Sequence, residues 1–192
     1  MKNILIVGPA RAGKTTLSRV LNKKYGYSIV NLDNIVGALG KSYPILDIKQ
    51  SGDDEKTSQI LGPFISNYLN ELSSGANFYN GCNYVIEGTH VDFEKVIPNL
   101  NTKKYVVLGL TYNKITPQML YDNMKKYDTE DDWTYWCRDD ELRANAEYFV
   151  ERNKIFDKKF KQFKIKTFDV SDNRERAFDD ILKWIETQIN EK

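Results

Sequence analysis

Two cysteines, Cys82 and Cys137, and a single histidine, His90, are all this chain has of either residue. Two distant cysteines make neither a metal motif nor a redox pair, so free thiols are expected. The N-terminal run Ile4-Leu5-Ile6-Val7 is too short for a signal sequence, which makes the cytoplasm the expected compartment. Nothing approaches the ~20 apolar residues that cross a bilayer, so no membrane is expected. Charge of one sign is also lacking: the net charge is +1, and no global field draws the chain to nucleic acid. Repeats, low-complexity tracts and proline-rich linkers are missing too, with five prolines in 192 residues. What remains is one domain, residues 1–192, large enough to bury a sizeable core. Its 41% hydrophobic and 29% charged residues are those of an ordinary globular chain.

Short β-branched runs alternate with longer helical stretches. Residues 3–7 read as a buried strand and 13–25 as a helix with Leu17, Val20 and Leu21 on one face. A second strand is predicted over 27–32. A helix is predicted over 55–73, locally weakened by Gly62-Pro63. Strands are predicted over 82–86 and 104–110, then a helix over 115–127. A long charged helix covers 139–161, a fifth strand 165–170, and an amphipathic helix 173–189. Five strands alternating with helices imply an α/β fold, a mostly parallel sheet with helices on both faces. Two stretches, 40–56 and 127–140, lack periodicity. Each is either a substrate or lid segment near the strand ends, or a variable surface loop.

The strongest signal is Gly8-Pro9-Ala10-Arg11-Ala12-Gly13-Lys14-Thr15, which satisfies G-x-x-x-x-G-K-[ST] between a strand and a helix. Glycines at 8 and 13 permit a backbone whose N–H groups converge on phosphate oxygens. The helix start adds its positive end. Lys14 is placed for the β- and γ-phosphates, and the Thr15 hydroxyl for Mg²⁺. Nucleotide binding is therefore expected.

Two acids stand at strand ends. Asp33 follows the second strand, where it could orient an acceptor hydroxyl or cap a helix over 34–39. Glu87 follows the third and is the candidate for contact with the metal. Neighbouring parallel strands share one rim, so both carboxylates should face the bound phosphates. His90 lies on the same rim, as a substrate contact or a local hydrogen-bonding residue.

The lid candidate carries Arg138 and Arg143, with Arg152 further along the helix, as cations for a transferring phosphoryl group. Acids outnumber these arginines, and Asp139 or Asp140 fits a helix cap. Trp133 and Trp136 would stack on a substrate ring or pack the lid onto the body. Asp172-Asn173-Arg174 would border a nucleotide base or cap the last helix.

With this phosphate loop, Asp33 and the Glu87-Gly88 turn in place, the chain resembles the P-loop small-molecule kinases, the adenylate-, shikimate- and gluconate-kinase-like proteins. The resemblance implies a three-layer fold with a five-stranded parallel sheet in order 2-3-1-4-5. It also implies ATP with Mg²⁺, and an arginine-bearing lid before the last strand. Carried over by position, residues 8–16, ending in Thr16, would hold the phosphates, and Asp33 would bind the acceptor. The run Ile86-Glu87-Gly88-Thr89-His90 is similar to the third-strand turn of 2-phosphoglycerate-kinase-like proteins. The Asp-Gly-Phe-Pro-Arg run of nucleoside-monophosphate kinases is missing, and the lid is acidic where many relatives are basic. The expected activity is ATP-dependent transfer of the γ-phosphate to a hydroxyl, or a phosphate, of a small-molecule acceptor. The substrate segment would lie in 40–75 and the lid in 127–145. The rival expectation is a nucleotide-dependent regulatory NTPase or switch, for which no guanine-reading Asn-Lys-x-Asp run is present.

Overall fold

The structure, a computed structural model, describes residues 1–50 and 54–190, leaving aside the side chains of Asn77 and Asn190. Five parallel strands form one sheet in the order β2-β3-β1-β4-β5. They are β1 Asn3–Val7, β2 Ser28–Asn31, β3 Tyr84–Gly88, β4 Tyr105–Thr111 and β5 Lys166–Asp169. The helices are α1 Lys14–Tyr25, α2 Leu32–Ser42, α3 Asp54–Ser74, α4 Ala76–Tyr79, α5 Phe93–Val96, α6 Pro117–Tyr127, α7 Asp139–Gln162 and α8 Arg174–Asn190.

β1 is fully buried and shows how the layers arise. Alternate side chains of a strand point to opposite faces. Ile4 and Ile6 accordingly join a core with Leu17 and Leu21 of α1 and Ile181 and Ile185 of α8. Leu5 and Val7 join a second core with Val36 of α2, Leu61 and Ile65 of α3 and Phe93 of α5. α7 serves both cores, through Phe149 and Val150 in one and Phe156 and Phe160 in the other. Truncating such a buried leucine or isoleucine to alanine costs about 2–5 kcal/mol.

Several boundaries differ from the sequence reading, each for a local reason. β3 starts and ends two residues later than expected, because buried Glu87 finds polar partners inside the sheet edge and extends the strand. Leu32 opens α2 instead of ending β2, and Asn31 is the cap, its Oδ1 accepting the Asn34 N–H. Asp33 is thus in the first turn of the helix and is not its cap. α2 runs to Ser42 and a 3₁₀ turn covers Pro44–Leu46, so most of 40–50 is ordered helix and turn. Residues 51–53 of the expected 40–56 loop lie outside the described residues. α3 continues through Pro63. A proline removes the N–H that would reach the carbonyl four residues back. Here Lys95 Nζ donates to that carbonyl, Gln59 O, at 2.8 Å. Arg138, not Asp139 or Asp140, stands at the N-cap of α7, its N–H accepted by the Glu141 carboxylate at 3.0 Å.

Candidate active site

The strand register brings Val7, Gly88 and Gly109 level at the carboxyl edge of the sheet, with Asn31 one position back beside Glu87. The phosphate loop leaves β1 at this edge and enters α1. Gly8 is forced by packing: a Cβ there would lie 2.7 Å from the Leu110 carbonyl oxygen of β4. Gly13 caps α1 with φ 86°, and Arg11 adopts φ 67°. Left-handed turns of this kind aim successive N–H groups into one concavity, an anion cradle. Lys14, Thr15 and Thr16 open α1, whose positive end adds to the cradle. Ala12 is buried beneath the loop, and the Tyr112 hydroxyl lies 3.0 Å from the Ala10 carbonyl.

Lys14 is buried and pairs with no carboxylate among the described residues. Its Nζ donates to the Pro9 carbonyl at 2.9 Å and to Thr89 Oγ1 at 3.2 Å. Burial pulls its pKa below the ordinary lysine value, against the attraction of Asp33, Glu87 and Asp54. A desolvated ammonium held by neutral oxygens is arranged to meet an anion.

Glu87 is 1% exposed. It accepts from the Thr15 hydroxyl at 2.9 Å and from Asn31 Nδ2 at 2.5 Å. Burial raises its pKa, and Lys14 and Thr15 oppose the rise. This donor set fits Mg²⁺, which takes one or two protein oxygens, nucleotide phosphates and water. Thr15 would be the direct ligand and Glu87 would stand behind it.

Asp33 reaches the same edge from α2. Its Oδ1 accepts the Thr89 N–H at 3.3 Å and faces His90 Nδ1 at 2.9 Å. Burial pushes its carboxyl up, but His90, Lys14 and the Thr89 N–H bring it below its ordinary value. Thr89 therefore touches both Lys14 and Asp33, and its hydroxyl lies 3.3 Å from the Gly8 carbonyl. From Thr89 a groove runs between α3, α5 and α7, lined by Glu55, Asp92, Arg152, Phe156 and Lys159 among others.

The lid segment meets this site through Arg11. Its guanidinium pairs with Asp128 and, at 2.8 Å, with Asp132. The abundant lid acids are thus partly consumed by the phosphate loop itself. Arg138 and Arg143 are exposed: Arg138 pairs with Asp140 and Glu141 of its own helix, and Arg143 pairs with Asp139 and reaches α6, donating to Gln118 at 3.3 Å and lying over the Tyr121 ring. Arg152 lies 3.6 Å from Asp54, and its Nε has no hydrogen-bond partner among the described residues. Trp133 packs edge-on against Phe149, and Trp136 lies largely exposed against Tyr135. Asn173 caps the last helix, accepting the Arg176 N–H at 2.9 Å, while Asp172 pairs with Lys114 and Arg174 lies beside Gly13. Sequence reasoning missed Asn31, Asp54, Thr89 and the side-chain role of Arg11. Only Thr89, one residue before His90 in the quoted rim run, carried a local signal.

No protein-family model and no curated protein matches the chain. Solved structures do. A shikimate kinase from Bacteroides thetaiotaomicron is 16% identical with a TM-score of 0.58, covering 96% of this chain and 98% of its own. Shikimate kinase from Acinetobacter baumannii, in complex with shikimate, is 20% identical with a TM-score of 0.56, covering 100% and 96%. Deoxyadenosine kinase from M. mycoides, with bound dATP, is 19% identical with a TM-score of 0.52, covering 97% and 100%. Sheet order, phosphate loop and these likenesses agree: the chain has the fold of the P-loop small-molecule kinases.

Proposed function

We propose that this chain is an ATP-dependent phosphotransferase that moves the γ-phosphoryl group to a hydroxyl of a small molecule. One observation carries the reading: buried Lys14 and the Asp33 carboxylate both contact Thr89, so a phosphate site and an acceptor-orienting acid adjoin. The likeness to two shikimate kinases and a deoxyadenosine kinase with bound dATP supports it.

In this reading Gly8, Ala10, Arg11, Ala12, Gly13 and Thr16 shape the loop that holds the nucleotide phosphates. Lys14 sheds its contacts to Pro9 and Thr89 and supplies charge to the β- and γ-phosphates. Thr15, with Glu87 behind it, would hold Mg²⁺, which would supply charge neutralisation at the phosphate oxygens. Asp33 Oδ1 is taken by Thr89 and His90, which leaves Oδ2 to accept the hydrogen bond of an acceptor hydroxyl. Its lowered pKa keeps it ionised, so it orients the nucleophile and receives the hydroxyl proton as the acceptor oxygen bonds to the γ-phosphorus and the bond from that phosphorus to the bridging oxygen breaks, releasing ADP. Arg138 and Arg143 are the mobile cations of the lid. The acceptor segment is 40–75, the compartment is the cytoplasm, and neither nucleic acid nor membrane is a partner.

The contacts of Arg11 to Asp128 and Asp132 favour a second reading, in which bound nucleotide rearranges the lid to display a partner surface. The test is a γ-phosphate transfer screen with Mg-ATP against pooled sugars, sugar acids, phosphoglycerates, nucleosides and amino alcohols, with Lys14→Ala as the blank. A labelled product missing from the blank establishes the kinase and its acceptor class. Lys14-dependent phosphate release without a labelled acceptor selects the switch. Full activity in Lys14→Ala overturns the phosphate-loop reading itself.

A further inference from the structure

We propose that His90 is a positioning residue, an imidazolium that fixes Asp33 and ties it through Asp54 to Arg152, so that occupancy of the groove is felt at the acceptor carboxylate. Asp33's role rests on the phosphotransferase reading; the chain of charges does not. His90 is 1% exposed. Its Nδ1 lies 2.9 Å from Asp33 Oδ1 and its Nε2 lies 3.4 Å from Asp54 Oδ1. Beyond Asp54, Arg152 Nε is 3.6 Å from Oδ2, with the guanidinium 5.5 Å above the Phe156 ring.

The chemistry of the ring follows from this placement. A neutral imidazole has one N–H and one lone pair, so one of two facing carboxylates would meet a lone pair. With both nitrogens protonated, Nδ1 donates to Asp33 and the positive Nε2 edge faces Asp54 as an ion-pair contact at 3.4 Å that is not a hydrogen bond. The four groups then alternate in sign and their formal charges cancel, as a buried cluster requires. Beyond the two carboxylates, Lys14 acts on both Asp33 and Asp54, Glu87 acts on Asp33, and Arg152 and the Tyr148 hydroxyl act on Asp54. Burial pushes the His90 pKa down, but Asp33 and Asp54 overcome it and raise it to about 9. The imidazolium therefore persists across neutral pH, and the link weakens as pH rises through that value.

The geometry also has a direction. Asp54 is the first residue of α3, and Arg152 lines the groove that begins at Thr89. A ligand in that groove that draws on Arg152 loosens its hold on Asp54. Asp54 then closes more fully on His90, and His90 fixes Asp33. The acceptor would in this way help set the carboxylate that orients it, a form of induced fit.

Because His90 is the only histidine, its ring can be observed without ambiguity in the full chain. With ¹⁵N-histidine label, both ring nitrogens should give the imidazolium pattern at pH 7. The titration should fall near pH 9, and Asp54→Asn should move it towards the ordinary histidine range of about 6.5. A neutral ring at pH 7 in the wild-type chain overturns the proposal, whether or not any kinase activity is found. Activity supplies the second arm, using the acceptor found by the screen. The side-chain amide of Asn can replace Nδ1, facing Asp33, whereas that of Gln replaces Nε2, facing Asp54. His90→Asn should keep more turnover than His90→Gln, with kcat in the latter down about 10- to 100-fold. Mg-ATP affinity should be retained in both. Equal losses in the two variants, with Mg-ATP affinity retained, would make His90 a packing residue and overturn its positioning role.

Discussion

Replacing Arg11 by alanine isolates the bond between the phosphate loop and the lid. Alanine inherits the same left-handed backbone, φ 67°, so backbone strain largely cancels in the comparison. Breaking a buried ion pair by removing one partner costs about 3–5 kcal/mol, whereas an exposed pair is worth about 0–1 kcal/mol. Here the side chains are 23% exposed for Arg11, 3% for Asp128 and 35% for Asp132. The Thr134 hydroxyl, 2.5 Å from Asp128, remains to solvate the orphaned carboxylate. The loss should therefore fall between the limits, about 2–3 kcal/mol. For a chain of this size that lowers Tm by about 5–10 °C. Calorimetric melts of wild type, Arg11→Ala, Asp128→Asn and the double variant measure it. The double variant should cost at least about 1 kcal/mol less than the two singles added, because the partners share one interaction. The sign of the pH effect follows from Asp132. Burial raises its carboxyl, but the Thr129 N–H and Arg11 hold it below the ordinary value. Its contribution is present above the unfolded pKa of about 3.9 and is lost as pH falls through the lower folded value. A Tm shift under about 1 °C together with strict additivity would show that the contact is a solvated surface pair and refute the reasoning.

Gly8→Ala should place a methyl against the Leu110 carbonyl, cost about 1–3 kcal/mol and lower Mg-ATP affinity in calorimetric titration. Unchanged affinity would dismiss the close approach of β4 as a determinant of the loop. Glu87→Gln keeps an oxygen for Thr15 and Asn31 but removes the charge. Folding stability should stay within about 1 kcal/mol, while half-maximal turnover should need at least about ten times more Mg²⁺. An unaltered Mg²⁺ titration would reassign Glu87 to structure. Arg138→Ala and Arg143→Ala remove exposed pairs, so each should change stability by less than about 1 kcal/mol. At least one should lower kcat, and unaltered kinetics in both would remove the arginines from the lid's chemistry.

The features legible in sequence are those written in neighbouring residues. The run Ile4-Leu5-Ile6-Val7, the phosphate loop and the leucines of α1 announce a strand, an anion cradle and a helix within about twenty residues. Strand β3 was displaced because polarity alone would end it at Ile86, whereas Glu87 is buried by partners 56 and 72 residues away. Asp33 and Asn31 are both good caps by composition. Only the register, with Asn31 level with Glu87 at the end of β2, decides between them. The contacts that join the site to its surroundings are the least local: Arg11 to Asp132 spans 121 residues and His90 to Asp33 spans 57. No periodicity encodes such pairs. The acidic lid looked like a solvated face for that reason, since its cation lies in the phosphate loop.

The anchoring of α7 in both cores has a mechanical consequence. Its 24 residues form a rod about 36 Å long, and apolar side chains pin it on either side of the sheet. Such a rod cannot swing with the segment ahead of it without opening both cores. Any opening beside the phosphate loop would then fall to the short segment between α6 and α7. The extended residues Asp128 and Cys137, with ψ 143° at each, mark where that segment would pivot. The groove wall carrying Arg152 is therefore expected to keep its place if the segment between α6 and α7 moves.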